Sequence, residues 1–410
     1  MRRSLFLAAL HMVAVVGCGR VDDGLSNLNA TCDPIYIGFS GSSTKASSND
    51  IDSMEGDSDG FVVYGLQAGS SEWSEHLDGN RYIYDSIQQS WGWLGSDIPW
   101  WPEPFSTMNF YAYYPSLAAG FSLSATAPNS IVAEIVVQES ILNQTDFLAS
   151  HSGDVTLKPL TGMQPMSFKH ITSKVSFSVL QQQDVLTVIR QLGIENIIGQ
   201  GSYDYINQQW SELSSSNLAS YDDYVGSSGV FAKYGVEDQV DPIRIDGHYL
   251  MLIPQSAGDK EGHAPTWDGS ITLDQDGDLL PEGAYISIRY RTNDATEDIV
   301  GYAFRQDARS DTEWDERSYY YGVYKSGGSY TGPLYVKAGF KISPDQLNWQ
   351  EGIGYDYILP LTQSGGIYLS EYYYDVDGTN TKIPVCGNPK IGDSVYAADI
   401  SGAVTVSGWK

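Results

Sequence analysis

Apolar residues in this chain recur mostly with a period of two, the signature of extended segments with one buried face. Lys174-Val175-Ser176-Phe177-Ser178-Val179 alternates strictly, placing Val175, Phe177 and Val179 on one face and Ser176 and Ser178 on the other. Tyr285-Ile286-Ser287-Ile288-Arg289-Tyr290-Arg291 follows the same rule, as does Ala403-Val404-Thr405-Val406, which leads to Trp409. Short apolar runs at residues 35–39, 61–66, 108–114 and 131–137 predict further strands. The third stops at Pro115, which a strand tolerates at its end. Helical spacing is confined to residues 184–192, and residues 344–348 are long enough for a single turn.

Clusters of Gly, Asn, Asp and Ser separate these segments, and no strand–helix–strand rhythm appears, so the expected fold class is all-β, built of sandwiches. No repeat of the solenoid or propeller kind is present. A length of 410 residues suits two to three domains. The polar break Gln181-Gln182-Gln183-Asp184 predicts an N-terminal β-sandwich domain over residues 32–182 and a C-terminal one over 183–410. Residues 211–229, rich in Ser, Asp and Gly, read as a long loop.

The first residues read as a targeting element. Met1-Arg2-Arg3 is basic, and the apolar run 5–16 is too short to span a bilayer, so residues 1–17 read as a signal peptide. The run ends in Val15-Val16-Gly17-Cys18, which resembles the lipobox of bacterial lipoproteins, with Val15 where Leu is usual. On that reading Cys18 becomes the mature N-terminus, carries acyl chains, and anchors the protein to a membrane through a polar tether over residues 18–31. A plain signal peptide with a chance cysteine is the alternative. Cys32 and Cys386 then remain in a compartment that permits disulfides, either as a pair or as two unrelated thiols.

Charge removes one class of partner. Lys and Arg number 23 against 51 Asp and Glu, and a net charge of −28 repels phosphate backbones, so nucleic acid is not an expected partner. The 29 Tyr and 42 Gly suit half-buried sheet faces joined by tight turns.

The chain carries no Gly-x-Ser-x-Gly, His-Glu-x-x-His or Walker-type loop. Neither a catalytic residue nor a cofactor is expected. His76, His151, His170, His248 and His263 are not spaced to place two on one helix face, and each reads as a hydrogen-bonded or surface histidine. Asp274, Asp276 and Asp278 offer hard oxygens in a short loop and are the candidate calcium ligands, yet the loop lacks the EF-hand pattern, and Asp-Gly is first of all a turn. Trp73, Trp91, Trp93, Trp100 and Trp101 form an aromatic cluster. Exposed, such indoles stack on sugar rings, and a monomeric glycan-binding lipoprotein is the alternative function; buried, they fill or seal a core.

Several segments, taken in order, resemble the fimbrillin family, the lipoprotein pilins and accessory pilins of type V pili. Ile35-Tyr36-Ile37-Gly38-Phe39-Ser40 is followed by Ser43-Thr44-Lys45-Ala46, then by Trp100-Trp101-Pro102 leading into Phe110-Tyr111-Ala112-Tyr113-Tyr114-Pro115. Asp146-Phe147-Leu148-Ala149 precedes Phe168-Lys169-His170-Ile171-Thr172-Ser173-Lys174-Val175. Gly201-Ser202-Tyr203 with Trp210, Leu250 to Gln255, and Trp349 before Gly354-Tyr355-Asp356-Tyr357 extend the similarity.

The resemblance implies two tandem transthyretin-like β-sandwich domains and a structural or adhesive role. It implies a lipid-anchored precursor at the outer membrane or cell surface, cut after its first strand, which enters the fimbrium after processing. The vacated groove then accepts a strand from the next subunit. The displaced strand here would bear Ile35, Ile37 and Phe39, whose burial is worth about 5–8 kcal/mol before ordering costs. The donor would come from Val404, Val406 and Trp409. Implied partners are other pilin subunits, the membrane through the lipid, and host or microbial surface receptors or glycans. One departure concerns processing: polymerising members are cut after Arg, and this chain has Lys45, which an Arg-selective pocket grips less well.

Overall fold

The computed structural model describes residues 38–43, the greater part of 60–292 and of 336–360, and short strands between residues 302 and 408. It is all-β, as expected. Strands β1 (Gly38–Ser43), β2 (Phe61–Gln67), β3 (Asp78–Asp85), β4 (Ser90–Leu94) and β5 (Thr107–Tyr114) come first. They are followed by β6 (Phe121–Thr126), β7 (Ser130–Val136), β8 (Leu148–Thr156) and β9 (Met163–His170). Seven of these nine make one sheet in the order β1-β9-β8-β5-β2-β3-β4. Every pairing in it is antiparallel except that of β1, which runs parallel to β9 with Gly38 opposite Met163 and Ser43 opposite Phe168.

The terminal strands of this sheet, β1 and β4, approach within 8 Å, so the sheet curls towards closure. Both of its faces are therefore buried. Phe61, Val63, Tyr82, Trp91, Met108, Phe110, Met166 and Phe168 fill the inside of the curl. Their neighbours along the strands, including Val62, Tyr64, Tyr111 and Tyr113, face outward into a second core. That two-sided burial explains why residues 61–66 and 108–114 read as continuous apolar runs rather than alternating ones.

The chain next enters β10 (Ser173–Leu180) and β11 (Thr187–Ile198), then returns through β12 (Gln200–Asp204) and β13 (Gln209–Ser211). β12 pairs with β7, Gln200 opposite Val136, completing a four-stranded sheet β13-β12-β7-β6. Ile131, Ala133, Ile135, Tyr203 and Tyr205 from this sheet and its turn cover the outer face of the curl. The 181–186 segment, where the domain break is expected, lies outside the described residues. Pairing on either side of it crosses the expected division: β10 joins the second sandwich, and β12 and β13 join the first.

The rest of the chain supplies β14 (Leu218–Tyr221), β15 (Val230–Ala232), β16 (Ile243–Arg244), β17 (Leu250–Leu252) and the hairpin β18 (Ile271–Leu273) and β19 (Leu279–Pro281). β20 (Tyr285–Thr292) precedes two further hairpins, β21 (Tyr302–Arg305) with β22 (Tyr319–Gly322), and β23 (Tyr324–Ser326) with β24 (Ser329–Thr331). Last come β25 (Val336–Lys341), β26 (Ile353–Pro360), β27 (Ile367–Tyr368), β28 (Tyr372–Tyr373) paired with β29 (Ile383–Pro384), and β30 (Val404–Gly408). Sheet β16-β10-β26-β30, with β17 also on β10, packs against sheet β14-β11-β20-β25-β27, with β15 also on β11. Val175, Phe177 and Val179 of β10 meet Ile189, Leu192, Ile194, Ile286 and Ile288 in the shared core. Phe177 is fully buried, with its ring 4.8 Å from Tyr224 and 6.1 Å from Tyr357.

Two expectations are corrected. Residues 187–192 form the start of strand β11, not a helix: Val188 pairs with Arg291 on one side and Phe231 on the other. The register shifts between Ile189 and Gln191 and again between Ile194 and Ile197, and the buried apolar positions are Ile189, Leu192, Ile194, Ile197 and Ile198. A bulge of this kind inserts an unpaired residue and breaks the strict alternation of a strand, so that Ile189 and Leu192, three apart, are both buried. The long loop expected over residues 211–229 contains β14, whose Tyr221 is fully buried.

Candidate functional site

Of the expected exchange strands, the first overlaps β1 only at Gly38 and Phe39, since β1 runs on to Ser43, and the second coincides with β30. β1 ends the curled sheet and pairs only with β9 among the described residues, Phe39 standing opposite Gln164. β30 ends a sheet of the second sandwich, antiparallel to β26, with Val404 opposite Tyr357 and Val406 opposite Tyr355. Beneath β1, the inward side chains of β9 are Met166 and Phe168, both buried. Lys45 comes two residues after β1 and lies outside the described residues. So do Cys18, Cys32, Ile35, Ile37, Trp100, Trp101, Asp274, Asp276, Asp278, Cys386 and Trp409. Among the described residues, no three His, Cys, Asp or Glu side chains converge on a metal-sized site, and no helix is long and apolar enough to cross a membrane.

The described indoles of the aromatic cluster pack against the cores. Trp91 is buried inside the curl, its ring 4.7 Å from Phe61 and 5.4 Å from Tyr84. Trp93 packs beside it, half-buried. Trp73 leans on the outer core, 5.5 Å from Tyr64 and 6.2 Å from Tyr111. These three aromatics stabilise the curled sheet by area and ring geometry.

The segment from Phe168 to Val175 is the passage between the sandwiches. β9 ends at His170 and β10 starts at Ser173, so His170, Ile171 and Thr172 carry the chain across. His170 Nδ1 is 2.8 Å from Asp146 Oδ2, and Thr172 Oγ1 donates to Asp146 Oδ1 at 3.2 Å. The Trp210 indole N–H donates to the Ile171 carbonyl at 2.9 Å, and the Gly352 N–H donates to the Thr172 carbonyl at 2.9 Å. Ser173 Oγ donates to the Gln350 carbonyl at 2.9 Å, and Lys169 Nζ is 3.5 Å from Glu351 Oε2. Burial raises the Glu351 carboxyl above its ordinary value, and the neighbouring Lys169 partly offsets that. Asp146, His170 and Trp210, scattered in sequence, thus converge on one joint.

A second polar group lies on the face of β10 away from the core. Ser176 and Ser178 donate to the two oxygens of Asp356 at 2.8 and 2.6 Å. Lys174 Nζ sits 3.5 Å from the centroid of the Tyr249 ring, and the Arg244 guanidinium 4.4 Å from the same centroid. Alternation assigns Ser176 and Ser178 to the face opposite the core, yet both are buried. Their pairing with Asp356, 180 and 178 residues away, is what permits it.

The curled sheet, the second sandwich and the joint between them define a double β-sandwich protein with strand edges at both ends of its chain. The profile of the fimbrillin-like family matches residues 44–297, and the chain belongs to that family. Among solved structures it is similar to a fimbrial protein from Bacteroides vulgatus, at 13% identity and a TM-score of 0.47, covering 80% of this chain and 95% of that one. It is also similar to a candidate cell adhesion protein from Bacteroides ovatus, at 10% identity and a TM-score of 0.40, covering 83% of this chain and 98% of that one. A candidate cell adhesion protein from Parabacteroides distasonis shares 10% identity at a TM-score of 0.37, covering 92% of this chain and 97% of that one. No curated protein matches the chain.

Proposed function

We propose that this protein is a fimbrial, pilin-like subunit of the cell surface that works by assembly and adhesion rather than catalysis. Membership of the fimbrillin-like family supports the class. The observation that carries the mechanism is the position of β1: an edge strand, parallel to β9, that ends two residues before Lys45. In this reading Cys18 holds the precursor on the outer membrane by lipid, and the sandwiches take transthyretin-like form. Cleavage after Lys45 frees β1 together with its anchor. The edge of β9 and the side chains of Met166 and Phe168 then face water, at a cost of about 1.5–3 kcal/mol for each side chain uncovered. A strand from the next subunit, running from Val404 and Val406 to Trp409, replaces β1 by main-chain pairing, with alternate side chains setting the register. A Cys32–Cys386 bond would keep the cut segment attached, so exchange requires those thiols unpaired.

The test is limited digestion of the lipidated, full-length protein with a Lys-specific protease, read by intact mass and size-exclusion chromatography under reducing and non-reducing conditions. The expected result is a cut after Lys45 followed by higher-order species, both abolished in Lys45→Ala. A protein trimmed at Lys45 that stays monomeric overturns the mechanism.

A further inference from the structure

A cleft of about 430 Å³ opens where the sandwiches adjoin, lined by residues 136–140, Asn143, residues 199–200 and residues 217–219. The crossing of the chain creates it. β7 leaves the first sandwich at Val136, and Val137 and Ile141 already pack in the second core. On the other wall, Gly199 alone joins β11 of the second sandwich to β12 of the first. A Cβ on Gly199 would stand 2.6 Å from both the Ala219 Cβ and the Tyr221 hydroxyl, so glycine is what allows the walls to approach.

Two features of the lining point to a ligand. Val136, Leu142 and Leu218 are half of the six large hydrophobic side chains exposed among the described residues, at 42%, 72% and 38%. Val136 and Leu218 line the cleft, and Leu142 stands next to the lining residue Asn143. Between these apolar patches, Glu139, Asn143 and Gln200 contribute a carboxylate and two amides, whose side chains make no hydrogen bond to another described residue. A folded partner would need an interface of about 1,000 Å² or more. A concavity of this volume instead falls in the small-ligand range of about 300–1,000 Å³. Apolar patches beside neutral amides and a carboxylate match the two aspects of a sugar ring, its C–H face and its hydroxyls. Glu139, with Asp223 hydrogen-bonded to the lining Ser140, disfavours an anionic ligand, as does the net charge of −28.

We propose that this cleft binds a neutral carbohydrate of about one or two pyranose rings. The site is built within one chain and does not depend on cleavage or strand exchange. The test uses the uncut, full-length Lys45→Ala protein on a printed panel of neutral oligosaccharides of galactose, mannose, glucose, fucose and N-acetylhexosamines, with sialylated and sulfated glycans alongside. Affinities of the bound glycans are then measured by calorimetry. The expected result is saturable binding of at least one neutral glycan, weakened tenfold or more in Glu139→Ala and in Asn143→Ala. Both positions are exposed, so the melting temperature should not move. Absence of neutral-glycan binding at millimolar concentration overturns the proposal, as does preference for the anionic glycans, or binding that survives both substitutions.

Discussion

His170 Nδ1 and Asp146 Oδ2 stand 2.8 Å apart at the point where β9 gives way to β10, and both side chains are almost entirely shielded from water. The remaining oxygen of Asp146 accepts from Thr172, so one carboxylate holds both ends of the three-residue passage.

Removing that carboxylate takes the shared acceptor away from Thr172 Oγ1 and His170 Nδ1 in a site that water barely reaches. Asp146→Ala is expected to lose about 3 kcal/mol of stability. Asp146→Asn, which keeps an acceptor for Thr172, should lose less. Urea unfolding of the three proteins measures both, and equal costs for the two variants would show that the carboxylate charge, not the Thr172 bond, decides the effect.

The tyrosines give the protein a limit on the alkaline side. Burial raises the phenols of Tyr82, Tyr203, Tyr205, Tyr221, Tyr224 and Tyr357 above the ordinary value of 10.0. Negative neighbours add to this at Tyr203, near Glu351 and Asp204. A group whose folded pKa exceeds its unfolded one binds more protons in the folded state, so stability is unaffected well below pH 10 and falls as pH rises above it. Absorbance at 295 nm should show the exposed phenols ionising near pH 10, and the buried ones only when the near-ultraviolet circular dichroism collapses. Ionisation of all phenols near pH 10 with that dichroism intact would contradict the burial of these six rings.

Gly193 tests the bulged geometry of β11. A methyl group there would overlap the carbonyl oxygen of Tyr221 and the Cα of Asp222, both backbone atoms that cannot turn aside. Gly193→Ala should therefore cost about 3 kcal/mol or more. Gly92, in β4, has nothing within 4 Å of the equivalent position, and Gly92→Ala should change stability by less than about 0.5 kcal/mol. Thermal melts of the pair compare the two directly.

What the sequence discloses follows the range of the interaction responsible. Alternation is local, and β10, β20 and β30 stand where Val175, Ile286 and Val404 place them. The helical reading fails at residues 187–192 because the bulge between Ile189 and Gln191 breaks the alternation by which a strand is recognised. The return of β12 to pair with β7 is not written in either segment, since it depends on Gly201 meeting Ile135 across the fold. The same holds for Asp356, whose neighbours Ser176 and Ser178 read as solvent-facing until β26 is laid beside β10. Trp91 was legible as a large aromatic but not as an inside one, because only closure of the sheet decides which face is enclosed. Nor does any one segment reveal the cleft beside Glu139, which three separate stretches enclose.

The pairing of β10 with β26 also sets an order on the making of the molecule. A chain emerging N-terminus first has all the described strands of the curled sheet and its cover once Ser211 has appeared. β10 has by then been exposed for some time, and its parallel partner begins only at Ile353. Until that strand arrives, the edge of β10 that β26 will occupy has no main-chain partner, and the young chain presents an open strand edge beside a finished sandwich. The growing chain is therefore most vulnerable to edge-to-edge misassociation in the interval between residues 211 and 353, when one half is complete and the other still awaits its central strand.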